Sequence, residues 1–436
     1  MLSPLPANKR KPKFHVRDNA AQPQRASARR GVKRWIDVMA RLTARGLLGI
    51  GAAVLTACVT PTSTPAQSAP ASAKAEKTGK TEAAAPSPVP LAPPPPAVPV
   101  RVPPTRPAAT VLWPTTKLQG ADYVNVRDVA KLLELKVAWS KPGSVLAASD
   151  ARGVRFAFEA NQKDFYFDKL RIFLGLPALL HKDSVWISQL DVIKIVAPLY
   201  RPADHAALLP ATEPKLIVLD PGHGGIDPGT QNAKLGVNEK TFTLDVALRL
   251  EKLLAARGWR VLLVRDKDVE LSKDKKADLL MRDEFANRRK ADLYLSIHFN
   301  SAGPAVSGVE TYSLAPQFML SAGDETGDEM TKTAFPGNRL DYANLVFGEA
   351  LHRAMIAGLK TSDRGYKHAR KAVLRMLDCP GALVECAYLS NDAEARRAAT
   401  PEFRQLIAES LATGVQDYAA TLAALRPPPP SPPPAQ

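Results

Sequence analysis

The chain has 436 residues, 39 prolines and a formal net charge of +16, and is too long for one ordinary core. Residues 1–46 hold 12 Lys/Arg against 2 Asp/Glu, so the rest is only mildly basic; with no basic patch interleaved with aromatics, a nucleic-acid partner is not expected. The three cysteines, Cys58, Cys379 and Cys386, form no CxxC pair, which excludes a zinc ribbon and disfavours a disulfide framework.

Residues 47–57, LLGIGAAVLTA, are apolar but too short to span a bilayer as a helix. Arg41 and Arg45 precede them and small residues follow, the pattern of a secretory signal. LTAC at 55–58 resembles the lipobox of bacterial lipoproteins, which implies lipidation of Cys58 and a membrane anchor there. The plainer alternatives are an ordinary signal cut nearby or an anchoring segment. Residues 1–58 are therefore a signal region, in which Met39 offers a start of ordinary length, MARLTARGLLGIGAAVLTAC. Val59 stands where an aspartate is associated with inner-membrane retention, which favours the outer membrane, facing the periplasm. Residues 59–108, rich in Pro, Ala, Ser and Thr, lack the apolar content to fold. At ~3.1 Å per residue they make a tether of at most about 150 Å. The tail, 425–436, has the same character.

Residues 109–203 read as a small α+β domain. YVNVRDVAKLLELKVAW, from Tyr123, is a strand, a helix and a strand, and SVLAASD and VRFAFEA alternate like hairpin strands. SVWISQLDVIKIVAPLY repeats the strand-then-helix pattern. This weak duplication resembles the stalk domain at the N-terminus of copper amine oxidases, without any metal motif. The expected role is a spacer or a wall-binding module, with His181 and His205 as ordinary surface or loop residues.

From 214 to 424 strands and helices alternate. KLIVLD, WRVLLV, DLYLSIHFN, GVETYSL, AVLRML and ALVECAYLS read as strands. Helices are expected over 238–257, capped by Asn238 and ended by Gly258, and over 279–290, 340–358 and 402–422. The fold class is α/β, a mixed twisted sheet flanked by helices on both faces, with sites at the carboxyl ends of strands.

His223 sits in the Gly-rich loop after the first strand, and His298 ends the DLYLSIH strand. Glu239 opens a helix, and Glu385 lies in the apolar strand ALVEC. Two imidazoles and a carboxylate suit Zn²⁺ with one position left for water, and a second carboxylate can take that water's proton. The plain alternatives stay open: a loop histidine, a strand-capping histidine, and a glutamate that favours a helix N-terminus. Glu385 is harder to explain away, because an ionised carboxylate in an apolar strand is costly unless paired.

The motifs DPGHGG, NEK, ADLYLSIHFN and ALVECAYLSN, in that order, resemble the zinc-dependent N-acetylmuramoyl-L-alanine amidases of bacterial cell-wall metabolism. The resemblance also covers RDKD at 265–268, the 282–287 stretch and DRGYKHARKAVLRML. It implies His223, Glu239 and His298 as zinc ligands, Glu385 as the catalytic glutamate, and peptidoglycan as substrate. It also implies direct attack of water on the lactyl carbonyl of N-acetylmuramic acid, with Glu385 carrying the proton to the departing L-alanine nitrogen.

Cys386 neighbours Glu385, but adjacent strand residues point to opposite faces, which argues against a thiol nucleophile. Cys379 and Cys386 can pair only if geometry allows. His352 and His368 are expected to be structural or to touch substrate, and Arg364 and Lys367 to meet acidic groups of the stem peptide. The insertion 314–339 reads as a flexible surface loop. Some relatives carry a zinc-occluding helix near this point, which implies Glu325, Asp328 or Glu329 as the blocking group and a protein activator as partner. Two other functions remain open: a peptidoglycan-binding module without catalysis, and a zinc peptidase cutting inside the stem peptide.

Overall fold

The computed structural model describes residues 113–426; the signal region with Cys58, the tether and nearly all of the tail lie outside the described residues. The first elements are β1 (Thr115–Leu118), β2 (Ala121–Asn125), α1 (Val126–Leu132) and the meander β3 (Lys136–Lys141), β4 (Val145–Asp150), β5 (Gly153–Glu159), β6 (Asp164–Phe167) and β7 (Leu170–Phe173). β8 (Leu179–His181), β9 (Ser184–Ser188) and a helical run, α2 (189–200), follow. Asn125 starts α1 by accepting the Arg127 N–H at 2.9 Å, the local bond that turns an extended strand into a helix. Ser188 does the same for α2 through Asp191.

β10 (Leu216–Pro221), the short pair β11 (Gln231–Asn232) and β12 (Val237–Asn238), α3 (Glu239–Ala255), β13 (Arg260–Leu263) and α4 (Lys275–Arg288) come next. β14 (Leu293–Asn300), β15 (Val309–Ser313), α5 (Glu329–Lys332), α6 (Asp341–Leu359) and β16 (Asp363–His368) continue the chain. It ends in α7 (Ala372–Arg375), β17 (Gly381–Tyr388), α8 (Asp392–Ala398) and α9 (Pro401–Leu425). β10, β13, β14 and β17 are parallel, and β15 runs against β17. Both sheet faces carry apolar cores. Leu295, Val384 and Tyr366 meet Phe347 and Tyr418 of α6 and α9 on one face; Val218, Tyr294 and Leu383 meet Val373 and Leu374 on the other.

Several expectations change. AVLRML forms no strand: Ala372–Arg375 is a helical turn whose Val373 and Leu374 fill the second core. A short apolar run has no period that separates strand from helix. The strand is instead DRGYKH, Asp363–His368, whose charged residues mask the pattern. Asn238 precedes α3 without capping it, since its side chain accepts from Gln231.

The middle region and the C-terminal region share one sheet of 11 strands, in the order β13-β10-β14-β17-β15-β16-β7-β6-β5-β4-β3. The join is a parallel pairing of β16 with β7, Tyr366 opposite Ile172. Asp363 accepts the Arg171 N–H at 2.9 Å, and Gly365 leaves room for Phe173, whose ring stands 2.5 Å from where a Cβ would be. The insertion completes this join. Because β15 is antiparallel to β17, residues 314–339 leave the sheet where β17 begins, away from the strand ends that carry His298 and Glu385. There Met319 is buried, close to Gly175 of the middle region, and Lys163 donates to the Asp324 carbonyl at 2.5 Å. Arg370 donates to the carbonyls of Pro316, Met319 and Thr331. The segment is a packed brace rather than a free loop. Asp328 caps α5 through the Thr331 N–H.

The α6–α9 contact depends on Gly414, where a Cβ would stand 2.7 Å from the Leu351 Cα. Backbone cannot yield as a flexible side chain can. Gly414→Ala is expected to cost about 1–3 kcal/mol through overpacking, read as a melting temperature several degrees lower.

Candidate metal centre and active site

β10 delivers the chain to Pro221, and the next residues turn sharply. His223 has φ +63°, a strained value for a residue with a side chain, and Gly224 and Gly225 are also left-handed. Gly222 is required for a different reason: a Cβ there would lie 2.2 Å from the His298 ring, so only glycine lets the two histidines approach.

Two buried arginines hold this loop by its carbonyls. Arg282 donates to the carbonyls of Pro221 at 3.2 Å and His223 at 2.9 Å, and pairs with Asp220 at 2.7 Å. Arg265 donates to the carbonyls of Pro221 and Gly222, each at 2.9 Å. Asp220 also accepts from Tyr294 and Ser296. Burial alone would raise its pKa, but Arg282 and the hydroxyl donors outweigh it and leave the carboxyl below its ordinary value. RDKD and the 282–287 stretch thus supply loop supports, not reactants.

Glu239, 2% exposed, lies between the imidazoles. Its Oε1 meets His298 Nδ1 at 2.9 Å, and its Oε2 meets His223 Nε2 at 3.2 Å. The N–H groups of Phe299 and Thr230 donate to the same two oxygens. Burial pushes its pKa up; the two histidines more than reverse this and keep it well below the ordinary value. Asp227 takes His223 Nδ1 at 2.8 Å, which turns Nε2 towards Glu239. One donor atom from each of His223, Glu239 and His298 falls within 4.8 Å of the others. Two neutral-capable imidazoles and a dry carboxylate converging on one point fit a divalent transition metal.

Glu385 stands beside this set because β14 and β17 pair with His298 opposite Glu385. It is 8% exposed, and its buried Oε2 has no hydrogen-bond partner among the described residues. Burial lifts its pKa to about 7, against the lowering effect of His298. These residues line an open cavity of about 440 Å³, with Asn300 and Thr230 on its wall.

The other candidates lie elsewhere. Cys386 is buried in the helix-covered core on the sheet face opposite Glu385, and burial drives its thiol pKa well above the ordinary value. Cys379 belongs to the other core, and both cysteines are free. His352 is buried between Thr311 (3.0 Å) and Asp363 (2.9 Å). His368 is buried, with its pKa pushed down to about 4. Neither joins the cluster. Lys367 is taken up by Glu310 at 2.5 Å, a carboxylate the sequence reading missed. Glu310 stands opposite Glu385 on β15 and also accepts from Tyr388, Tyr312 and the cavity-lining Asn300. Its signal was a charged residue in the alternating run GVETYS. Asp227, also missed, is signalled by its place four residues after His223.

Comparison with known proteins adds to this geometry. The N-acetylmuramoyl-L-alanine amidase family model matches residues 217–417. An uncharacterised cell wall amidase of Bacillus anthracis is 34% identical over 47% of this chain and 36% of its own length. N-acetylmuramoyl-L-alanine amidase AmiC of Neisseria meningitidis is 32% identical over 47% of this chain and 53% of its own. The chain thus spans about a third to a half of these two relatives. The germination-specific N-acetylmuramoyl-L-alanine amidase of Bacillus subtilis is 30% identical over 47% of this chain and 79% of that protein. A solved N-acetylmuramoyl-L-alanine amidase from Clostridium difficile 630 aligns over 48% of this chain and 99% of its own, at 25% identity and a TM-score of 0.39.

If the three donors form one site, Zn²⁺ added to chelator-treated protein raises its melting temperature progressively, since a ligand of the folded state alone adds stability by mass action. His298→Ala is expected to abolish that shift in a thermal melt.

Proposed function

This chain belongs to the N-acetylmuramoyl-L-alanine amidase family, and from that premise we propose that it hydrolyses the amide between N-acetylmuramic acid and L-alanine in peptidoglycan. The observation that carries the reading is the unpartnered Oε2 of Glu385, buried and in register beside His298. A carboxylate kept in that condition costs stability unless a ligand or reactant completes it.

The ion assigned to His223, Glu239 and His298 is Zn²⁺, which when bound supplies Lewis acidity for carbonyl polarisation and water activation. The chain's own residues do the rest. Glu239 accepts from the Thr230 and Phe299 N–H groups, which hold its two oxygens between the imidazoles. Asp227 holds the His223 ring by Nδ1 and leaves Nε2 facing the site. Glu385, with a pKa near neutrality from burial, takes the proton of the attacking water and returns it to the departing L-alanine nitrogen. Cys386 faces away, so no acyl-enzyme is invoked.

The enzyme is assigned to the cell envelope: lipid-anchored at Cys58, in the outer membrane facing the periplasm, with residues 59–108 as its tether. Its role there is the release of stem peptides in wall remodelling or cell separation. A protein activator is retained as a partner only for a blocking group other than Glu325, Asp328 or Glu329, since the 314–339 segment leaves the far end of the sheet.

Mass spectrometry of digested peptidoglycan tests the reaction. The full chain is expected to release intact stem peptides with a free L-alanine amine, and a chelator or Glu385→Gln is expected to stop it, with a loss of at least ~10²-fold. Cleavage inside the stem peptide would replace this reading by the peptidase, and binding without cleavage by the non-catalytic module.

A further inference from the structure

The row of strand positions that holds the catalytic pair does not stop at the C-terminal region. Across the sheet, His298 stands opposite Glu385, and Glu385 opposite Glu310. Paired residues on neighbouring strands share a face. On β16 that face carries Arg364 and Lys367, with Arg364 Nε 3.9 Å from Glu310 and Tyr312 opposite Lys367. Tyr366 opposite Ile172 brings Phe173 and Arg171 alongside; Lys367 Nζ lies 4.9 Å and the Arg171 guanidinium 5.0 Å from the Phe173 ring. Arg171 then stands opposite Tyr166. Across the register shift beside Glu310, the face that carries the catalytic carboxylate therefore continues onto the middle region.

Arg364, Arg171 and Phe173 are half-buried along this stretch, and its outer end is exposed. Tyr166 is 47% exposed, while Phe165 and Phe167 on either side of it are buried on the opposite face. Asp164 takes the Arg171 Nε at 2.8 Å, and the Nη groups of Arg171 make no hydrogen bond among the described residues. Arg364 is partly exposed, and its Nε has no acceptor among them. At the head of the row stands the unpartnered Oε2 of Glu385. An aromatic ring offers its face to a sugar ring, and guanidinium groups offer paired donors to carboxylates. Four strand spacings separate Glu385 from Tyr166, roughly 19 Å at ~4.8 Å each.

We infer that Arg364, Phe173, Arg171 and Tyr166 form an extended substrate subsite, in which the middle region holds a neighbouring stretch of the glycan, with its acidic peptides, beside the bond being cut. The inference rests on the amidase reading and gives the middle region a part in substrate choice. It also gives a reason for joining the two regions through a strand pairing instead of a linker: a subsite at a set distance from the catalytic carboxylate needs a rigid connection.

The test uses the full chain. In the Glu385→Gln background, binding to purified peptidoglycan sacculi is measured for Tyr166, Tyr166→Phe, Tyr166→Ala and Tyr166→Glu. Tyr166→Ala is expected to weaken binding roughly threefold to tenfold, Tyr166→Phe to keep it, and Tyr166→Glu to weaken it further. In the active chain, the ratio of kcat/KM on sacculi to that on a soluble disaccharide-peptide fragment falls by a similar factor in Tyr166→Ala. Equal binding by all four proteins, or sacculus and fragment rates that fall together, overturns the inference. Failure of the amidase reading has a different signature: no hydrolysis of either substrate by the wild-type chain, with Tyr166-dependent binding intact.

Discussion

The site depends on keeping one carboxylate ionised where there is almost no water. Glu239 is nearly inaccessible, and burial alone would raise its pKa. The two imidazoles offset this, two backbone N–H groups donate to the same oxygens, and all four groups arrive from two pieces of the fold. Thr230 comes from the Gly loop and Phe299 from the end of β14. The histidines come from the same two places, and they meet only because Gly222 has no side chain to separate them. Such a set loses its meaning if any member shifts by an ångström, so the loop must be held hard.

The means of holding it is a second buried charge system beneath the first. Arg282 and Arg265 grip the loop through the carbonyls of Pro221, Gly222 and His223. Asp220, itself satisfied by Tyr294 and Ser296, anchors Arg282. Carbonyl grips tolerate the left-handed φ of His223, because they do not depend on its side chain. The side chain is left free for Asp227 on one nitrogen and Glu239 on the other. Stability spent on buried charge and backbone strain is thereby concentrated at the strand ends, where chemistry needs it.

The same sheet organises the periphery. By reversing β15, the chain sends residues 314–339 to the end of the sheet where β17 begins and makes of them a brace against the middle region. By pairing β16 with β7, it extends the catalytic face across a region that would otherwise read as a separate module. Hydrophobic packing agrees with this: Phe156, Phe158 and Phe165 share one continuous core with Leu295 and Val384.

Local chemistry in the chain singled out His223, Glu239, His298 and Glu385 as candidates, in a glycine turn, at a helix start, at a strand end and in an apolar run, and the resemblance of the motifs around them to the amidases supplied their expected roles. Periodicity likewise marked α3, α6, α9 and the buried strands β10, β14 and β17, whose apolar patterns are long or bounded by glycine. It failed where a segment is short or charged: AVLRML became a helical turn, and DRGYKH a strand. Nothing within a few residues of Glu310 foretold its partnership with Lys367, Tyr388 and Asn300, since those groups lie on three other strands. Nor does any local pattern record that β16 pairs with β7, or which end of the sheet the insertion leaves. Side-chain type and spacing are properties of the chain, but register, strand direction and shared faces arise only when distant segments exchange hydrogen bonds and bury one another.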